Sequence, residues 1–310
     1  MARFRVLVGV LVVGVVSALA AASAGASTVF RTFVAPVTGN DANDCSRAAP
    51  CLTLQRALNQ VQAHGTVTVL ESGVLGQGAT VSKAVTVNVP AGIDAGLSRS
   101  TGTLLIVNAP TSAVVTINGL TLDGRGTADI GIFYTSGLAL YLNRVQITDF
   151  GTNATEGIRA SANDNVHLKL NFDHSFISGT RTAIFPVAFT NASVIIGLEN
   201  SRLRGNSEGV FIQNGVRAHI VRSVISGDGT GGGVQGEGSG QAMISDSTFE
   251  DNDVGLDATN GTAIWVTHSM ISGNNTGLVR NTGGAIYTGG DNILVGNTTD
   301  GTFTGPIPLK

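Results

Sequence analysis

A short frame returns every 22–30 residues through most of the chain, and this period constrains the fold more than any other feature. A polar residue is followed by Ser or another small residue, any residue, an apolar anchor, Ser or a charged residue, then Gly and often Asn. Copies are His174-Ser175-Phe176-Ile177-Ser178-Gly179, Asn200-Ser201-Arg202-Leu203-Arg204-Gly205-Asn206 and Arg222-Ser223-Val224-Ile225-Ser226-Gly227. Two more are Asp246-Ser247-Thr248-Phe249-Glu250-Asp251-Asn252 and His268-Ser269-Met270-Ile271-Ser272-Gly273-Asn274. The anchors Leu122, Ile147, Ile177, Leu203, Ile225, Phe249, Ile271 and Leu294 lie 25, 30, 26, 22, 24, 22 and 23 residues apart. A second apolar strand follows most of them, around Ile132, Ile158, Ile184, Val210, Val234, Leu256 and Leu278. Two short strands between Gly/Asn turns cannot bury an apolar face alone, whereas coaxial stacking buries all such faces together. No Leu-x-x-Leu-x-Leu pattern is present, and a propeller blade would need about 40 residues. The expectation is an all-β parallel solenoid.

Composition agrees. Charged residues are 13% of the 310, and the 42 glycines are about twice the usual share. There is no Lys/Arg surplus to neutralise phosphates, so nucleic acid is not an expected partner. Residues 1–26 read as an export leader. Arg3 and Arg5 precede an apolar run from Val6 to Val16, and Ala22-Ser23-Ala24 or Ala24-Gly25-Ala26 offers a cleavage site. An uncleaved anchor is the alternative, disfavoured by the Ala/Ser/Gly-rich end of the run. Removing Arg3 and Arg5 would take the net charge from −3 to −5. After cleavage no membrane association is expected, and the location is secreted or periplasmic. Cys45 and Cys51, the only cysteines, are expected to form a disulfide in such a compartment.

Alternation within strands assigns faces. Two residues before the anchors stand Leu120, Val145, Ser175, Ser201, Ser223, Ser247, Ser269 and Asn292, expected to point inward as a buried serine ladder. Asn206, Asn252, Asn274 and Asn297 form another column, read as left-handed turn formers. Leu54, Ala57, Leu58 and Val61 recur at helical spacing within 53–63, predicting a short helix that caps the open first turn. The expected divisions are a leader at 1–26, a disulfide loop and capping helix at 27–64, the β-helix at 65–297, and a terminating tail at 298–310.

These features resemble the secreted right-handed parallel β-helix proteins of the pectin-lyase-like superfamily. The resemblance rests on the repeated frame over roughly 114–297 and on the start Gly39-Asn40-Asp41-Ala42-Asn43-Asp44-Cys45 through Pro50-Cys51, the helix, and Gly65-Thr66-Val67-Thr68-Val69. It implies fold far more than activity, since the superfamily hosts many functions. Members that cleave uronate polymers use a calcium site and a basic residue. Asn171-Phe172-Asp173-His174-Ser175 resembles one fragment of that motif, but Ser178 to Val187 has no carboxylate. The Asp-Asp, Gly-His-Gly and Arg-x-Lys signatures of the polygalacturonase-like members are missing.

The remaining candidate is the polar column three residues before the anchors: Arg144, His174, Asn200, Arg222, Asp246, His268 and Asp291, read as outward strand positions. Ligand contacts are expected from Arg202, Arg204, Arg222, Asp246, Glu250 and His268, and Arg222, Asp246 and His268 are the only acid/base candidates. Asp246 and Asp291, two strands apart, and Asp246 and Glu250, four residues apart on one strand, are poor carboxylate couples for glycoside cleavage. Gly227 to Gly240, with Asp228 and Glu237, reads as a glycine-dense loop. Glu250-Asp251-Asn252-Asp253 with Asp257 is where Ca²⁺ could bind, although an acidic turn explains it without a metal; no metal or other cofactor is assigned. The expected function is an exported, monomeric protein that interacts with polysaccharide along a polar face without clear catalytic motifs. A lyase or epimerase for acidic glycans and a structural or adhesive surface protein are the alternatives.

Overall fold

The computed structural model describes residues 29–151, 155–227 and 229–308. The expected leader at 1–26 lies outside the described residues. The chain winds as a parallel β-solenoid of about nine turns, with three strands per turn rather than the expected two. Sheet A has twelve strands, sheet B ten and sheet C nine, and every neighbouring pair within the described residues is parallel. One turn runs His167–Asp173 in sheet A, Phe176–Ser178 in sheet B and Thr182–Ala188 in sheet C, before returning to sheet A at Ser193–Glu199.

The anchors are partners of one another in sheet B: Leu122 pairs with Ile147, Ile147 with Ile177, and so on through Phe249, Ile271 and Leu294. The second series, Ile132 to Leu278, pairs in register along sheet C. The strand missing from the sequence reading is that of sheet A, whose inward columns include Leu140, Leu170, Ile196, Ala218, Ala242, Ile264 and Ile286. The interior is one continuous apolar column.

Each coil turns at three corners, and two of them correct the sequence reading. Arg144, His174, Asn200, Arg222, Asp246 and His268 are not strand residues. Each occupies the left-handed region, with φ between +46° and +55°, at the corner from sheet A to sheet B. A single left-handed residue makes a sharp bend without breaking the stack, because its N–H still reaches the next turn: Arg144 N–H donates to the Asp173 carbonyl at 2.9 Å and Arg222 N–H to Ser245 at 3.2 Å. At the corner from sheet B to sheet C the left-handed residues are Gly179, Gly205, Gly227, Asp251, Gly273 and Gly296, while Asn206, Asn252 and Asn274 are buried just after them. The asparagines therefore act as a ladder and not as turn formers. Asn252 N–H donates to Asn274 Oδ1, and Asn274 N–H to Asn297 Oδ1, both at 3.0 Å.

The serines following the first corner form the expected buried ladder. The Ser175 N–H donates to Ser201 Oγ, Ser201 to Ser223, Ser223 to Ser247 and Ser247 to Ser269, at 3.0–3.2 Å. Hydroxyls donate back to the carbonyl two residues earlier, as Ser247 does to Ser245 at 2.7 Å. Asn292 replaces serine at the last step, accepting from Ser269 N–H at 2.9 Å.

The helix, α1, spans Leu54–Gln60, with Thr53 at its N-cap accepting from Arg56 N–H. Leu54, Ala57 and Leu58 are buried as expected, but Val61 opens the next strand instead of completing the helix. The position of α1 is that of a cap: the Gln55 side chain accepts from Thr80 N–H at 2.6 Å on the outermost strand of sheet C. Cys45 and Cys51 are disulfide-bonded, with Cα atoms 4.7 Å apart. Their loop covers the outer edge of sheet A, since Phe33 N–H donates to the Cys45 carbonyl and Cys51 N–H to the Phe33 carbonyl. The tail supplies Gly305–Pro306 as a further strand of sheet A. The stretch expected as a glycine-dense loop contains the sheet C strand Gly232–Glu237, paired on both sides; its Asp228 lies outside the described residues.

The ladder makes a direct prediction. Ser223→Ala removes the acceptor of the buried Ser201 N–H and is expected to cost about 1–3 kcal/mol, read as a lowered thermal midpoint. The outward Ser272→Ala on sheet B should leave the midpoint unchanged. Equal behaviour of the two variants would show that the hydroxyl column carries no stability.

Candidate functional site

The six residues expected to contact ligand fall into two groups. Arg222, Asp246 and His268 line the corner between sheets A and B. Arg202, Arg204 and Glu250 face outward from sheet B, where they and Asp251 border a 330 Å³ hollow over Val224, Ser226 and Gly227. Arg204, Ser226 and Glu250 are successive partners, so the arginine and the carboxylate stand two strand spacings apart, about 9.6 Å. Asp246 and Glu250 do not share a strand as expected, because the corner separates them.

The expected alternating ion line is only partly formed. His268 Nε2 lies 3.1 Å from Asp291 Oδ2, and His268 N–H donates to Asp291 Oδ1. Arg222 turns the other way and pairs with Glu199 of sheet A, also donating to Asn200 Oδ1. Asp246 has no ion-pair partner among the described residues. The acidic stretch weighed for Ca²⁺ is split by the second corner: Glu250 ends a sheet B strand, Asn252 is buried in its ladder, Asp253 accepts from Asn275, and Asp257 lies on sheet C. Among the described residues no group of three or more His, Cys, Asp or Glu side chains is placed to hold a metal.

Sheet A carries a second candidate that the sequence reading missed. Tyr141, Asn171, Gly197, His219, Met243, Trp265 and Tyr287 pair in register as one outward column. The Trp265 and Tyr287 rings are stacked, with centroids 6.0 Å apart and planes 18° off parallel. His219, Met243, Trp265, Thr267 and Ile307 line a concavity of about 450 Å³. A second, of 270 Å³, runs through Tyr141, Asn171, Asp173, Gly197 and Glu199. Both are lined by His219 and Val221, so they meet as one trough. From Tyr141 to Trp265 it crosses five strand spacings, about 24 Å. A signal was available in the sequence: His219, Met243, Trp265 and Tyr287 follow one another at 24, 22 and 22 residues, the period of the anchors.

Asp173 and Glu199 are direct neighbours on adjacent strands along one flank of this trough. The amide of Asn200 donates to Asp173 Oδ1 at 2.9 Å, and with the hydrogen bond from His174 and the positive charge of Arg222 it holds the Asp173 carboxyl below the usual carboxylate range. A glycosidase's acid requires the opposite, a carboxyl kept protonated near neutral pH. Asp173 is thus tuned to accept hydrogen bonds and not to donate a proton, while Glu199 has Arg222 on its carboxylate. The arrangement suits binding better than cleavage.

Sheet C presents a third outward row, with Phe185 and Phe211 stacked at 5.3 Å and Arg159 over Phe185. Further along it, partial burial raises the Asp257 carboxyl, helped by nearby Glu237 and opposed by the Thr259 hydroxyl. A carboxyl raised in the folded state is ionised more easily in the unfolded chain. It therefore lowers stability as pH rises from the ordinary value of 3.8 through the raised one. Asp257→Asn should accordingly raise the melting temperature at pH 7 relative to the parent, with the gain vanishing below pH 3; a gain independent of pH would refute the assignment.

No protein-family model matches the chain, and no curated protein matches it. Among solved structures, a GH136 lacto-N-biosidase from Eubacterium ramulus is similar over 89% of this chain and 66% of its own length, at 10% identity and a TM-score of 0.54. The Geobacillus virus E2 ORF18 protein is similar over 85% of this chain and 62% of its own, at 10% identity and a TM-score of 0.41, too low to argue from. This chain thus spans less than two thirds of either structure, and what it shares with the lacto-N-biosidase is the fold: the chain is a parallel β-solenoid of the kind seen in a carbohydrate-active enzyme.

Proposed function

We propose that the protein is exported and binds polysaccharide in the trough of sheet A, without robust catalysis. The observation that carries this reading is the stacked Trp265–Tyr287 pair on an outward strand face, at the end of a 450 Å³ concavity. Interior packing does not require two aromatic rings on that side of the sheet. Aromatic rings offer rigid apolar faces with polar tips, which suits the C–H faces of sugar rings. Asn171, Ser245 and Thr267, which line the same trough, supply hydrogen-bonding groups that can fix hydroxyls. The solenoid of the lacto-N-biosidase supports the reading at the level of fold. The disulfide suits an oxidising compartment, in keeping with a leader at 1–26. Among the described residues no helix is long and apolar enough to cross a membrane.

In this reading Arg222 borders the trough and orients Glu199, with Asp246 and His268 further along the same corner. Arg202, Arg204 and Glu250 lie one corner away on sheet B and do not meet the ligand. The alternative of a lyase or epimerase requires an acid/base pair, and the Asp173 environment weighs against one there.

Trp265 is the only tryptophan, so its fluorescence reports on this site alone. Saturable change with at least one member of a panel of plant and bacterial polysaccharides is expected. Trp265→Ala, measured by calorimetry, should weaken that binding at least tenfold while leaving the melting temperature within a few degrees. Silence of the whole panel, or unimpaired binding by the variant, would overturn the reading. Appearance of unsaturated or new reducing ends would replace binding by catalysis.

A further inference from the structure

Resting on the sheet A reading, we infer that the ligand is an uncharged oligosaccharide several units long, lying across the strands and bridging both concavities, and that uronate chains are excluded. Apart from the Tyr141 phenol, the ionisable side chains lining the two concavities are Asp173, Glu199 and His219. Two of the three are carboxylates, and they are neighbours. The nitrogen groups nearest to them are already engaged: the His174 imidazole Nδ1 lies 2.8 Å from Asp173 Oδ1, and the Arg222 guanidinium pairs with Glu199. A polyuronate carries a carboxylate on every sugar, and its binding needs free cations along the path. Here it would meet like charge over the half near Asp173 and an uncharged apolar surface, Met243, Trp265 and Ile307, over the other. Lys169 and Arg217 are the charged groups facing the trough from its other flank. They sit two residues back on their strands, about 7 Å away, where Arg217 borders a separate hollow with Ile195 and Gln241.

The length requirement comes from Gly197. Every other member of the outward column from Tyr141 to Tyr287 has a side chain, and Gly197 leaves a gap between Asn171 and His219, at the junction of the two concavities. The Asn171 amide leans over this glycine, its Oδ1 within 2.9 Å of where a Cβ would stand, so the low point carries a hydrogen-bonding group. The gap lets a chain seated on Trp265 continue toward Tyr141 without rising off the sheet.

The test uses Trp265 fluorescence on the full chain with neutral di-, tetra- and hexasaccharides of the best polysaccharide, and with oligogalacturonates of the same lengths. Affinity for the neutral series should climb at least tenfold from di- to hexasaccharide, and the oligogalacturonates should bind at least tenfold more weakly than neutral chains of equal length. Gly197→Tyr places a residue of high strand propensity on the solvent side. It should abolish the gain in affinity with length; its melting temperature and circular dichroism verify folding. In Asp173→Asn/Glu199→Gln the discrimination against oligogalacturonate should shrink. Oligogalacturonate binding as tight as the neutral series would overturn this inference, with Lys169 and Arg217 as the cradle, while leaving the sheet A site standing. Flat length dependence, or a Gly197→Tyr variant that keeps it, would overturn the bridging of the two concavities. Silence of every oligosaccharide would instead remove the sheet A site itself.

Discussion

Everything in this molecule depends on successive turns pairing in register, strand on strand and corner on corner. Parallel pairing at about 4.8 Å leaves no room for a turn to drift, because a one-residue slip would send every inward side chain to solvent. The strands alone do not hold that register. The corners do, where backbone direction changes and ladder hydrogen bonds would otherwise be lost. Each corner serine offers its Oγ to the N–H of the preceding turn, and each corner asparagine its Oδ1. Because a buried N–H without a partner costs about 1–3 kcal/mol, one residue type at one position of every turn pins the pitch.

The same geometry creates the problem that the two ends solve. An in-register stack ends in open strand edges, which recruit other chains. At the N-terminal end three devices act on different edges: the Cys45–Cys51 loop pairs with Phe33 on sheet A, the Gln55 amide occupies Thr80 on sheet C, and Leu54 N–H donates to the Leu75 carbonyl. At the other end Thr304 and Ile307, flanking the final Gly305–Pro306 strand, bond back onto the sheet A strand Ala285–Thr288, and the Asp300 carbonyl accepts from Leu278 N–H on sheet C. The short disulfide thus stabilises an edge cover more than it staples the solenoid.

This explains what could be read from residues alone. Sheet B was legible because its anchors keep one character, aliphatic or Phe, next to a serine that cannot vary without orphaning a donor. Sheet C was legible because its inward anchors, Ile132 to Leu278, stay aliphatic at the same period, each behind a Gly or Ala. Sheet A escaped notice since its inward column passes through Ala218 and Ala242 as well as Leu170 and Ile264, and its outward column has no repeated type at all. The polar column was misplaced because alternation has no term for a left-handed residue: Arg144, His174 and Arg222 look like strand positions until φ changes sign. The asparagines were misjudged in reverse. The neighbouring glycine, or Asp251, already takes the left-handed bend, which frees the asparagine side chain to serve as a ladder.

The constraint that makes the interior repetitive also locates the freedom. Inward and corner positions answer to the turns above and below, so they converge on Ser, Asn, Gly and aliphatic residues. Outward strand positions answer only to solvent and to a ligand. On sheet B they carry a loose mixture of charge, and on sheet C a row of phenylalanines that cover each other and Arg159. On sheet A alone they combine a gap at Gly197, two adjacent carboxylates held by His174 and Arg222 of the corner, and a stacked Trp–Tyr pair beside an open concavity. Even these corner groups follow from the fold. The left-handed corner sets these side chains at the edge of sheet A, where Arg222 meets Glu199 of the preceding turn while His268 meets Asp291 of the following one. The polar corner is therefore the support of one flank of the trough, and the trough is where side-chain choice is explained neither by register nor by burial.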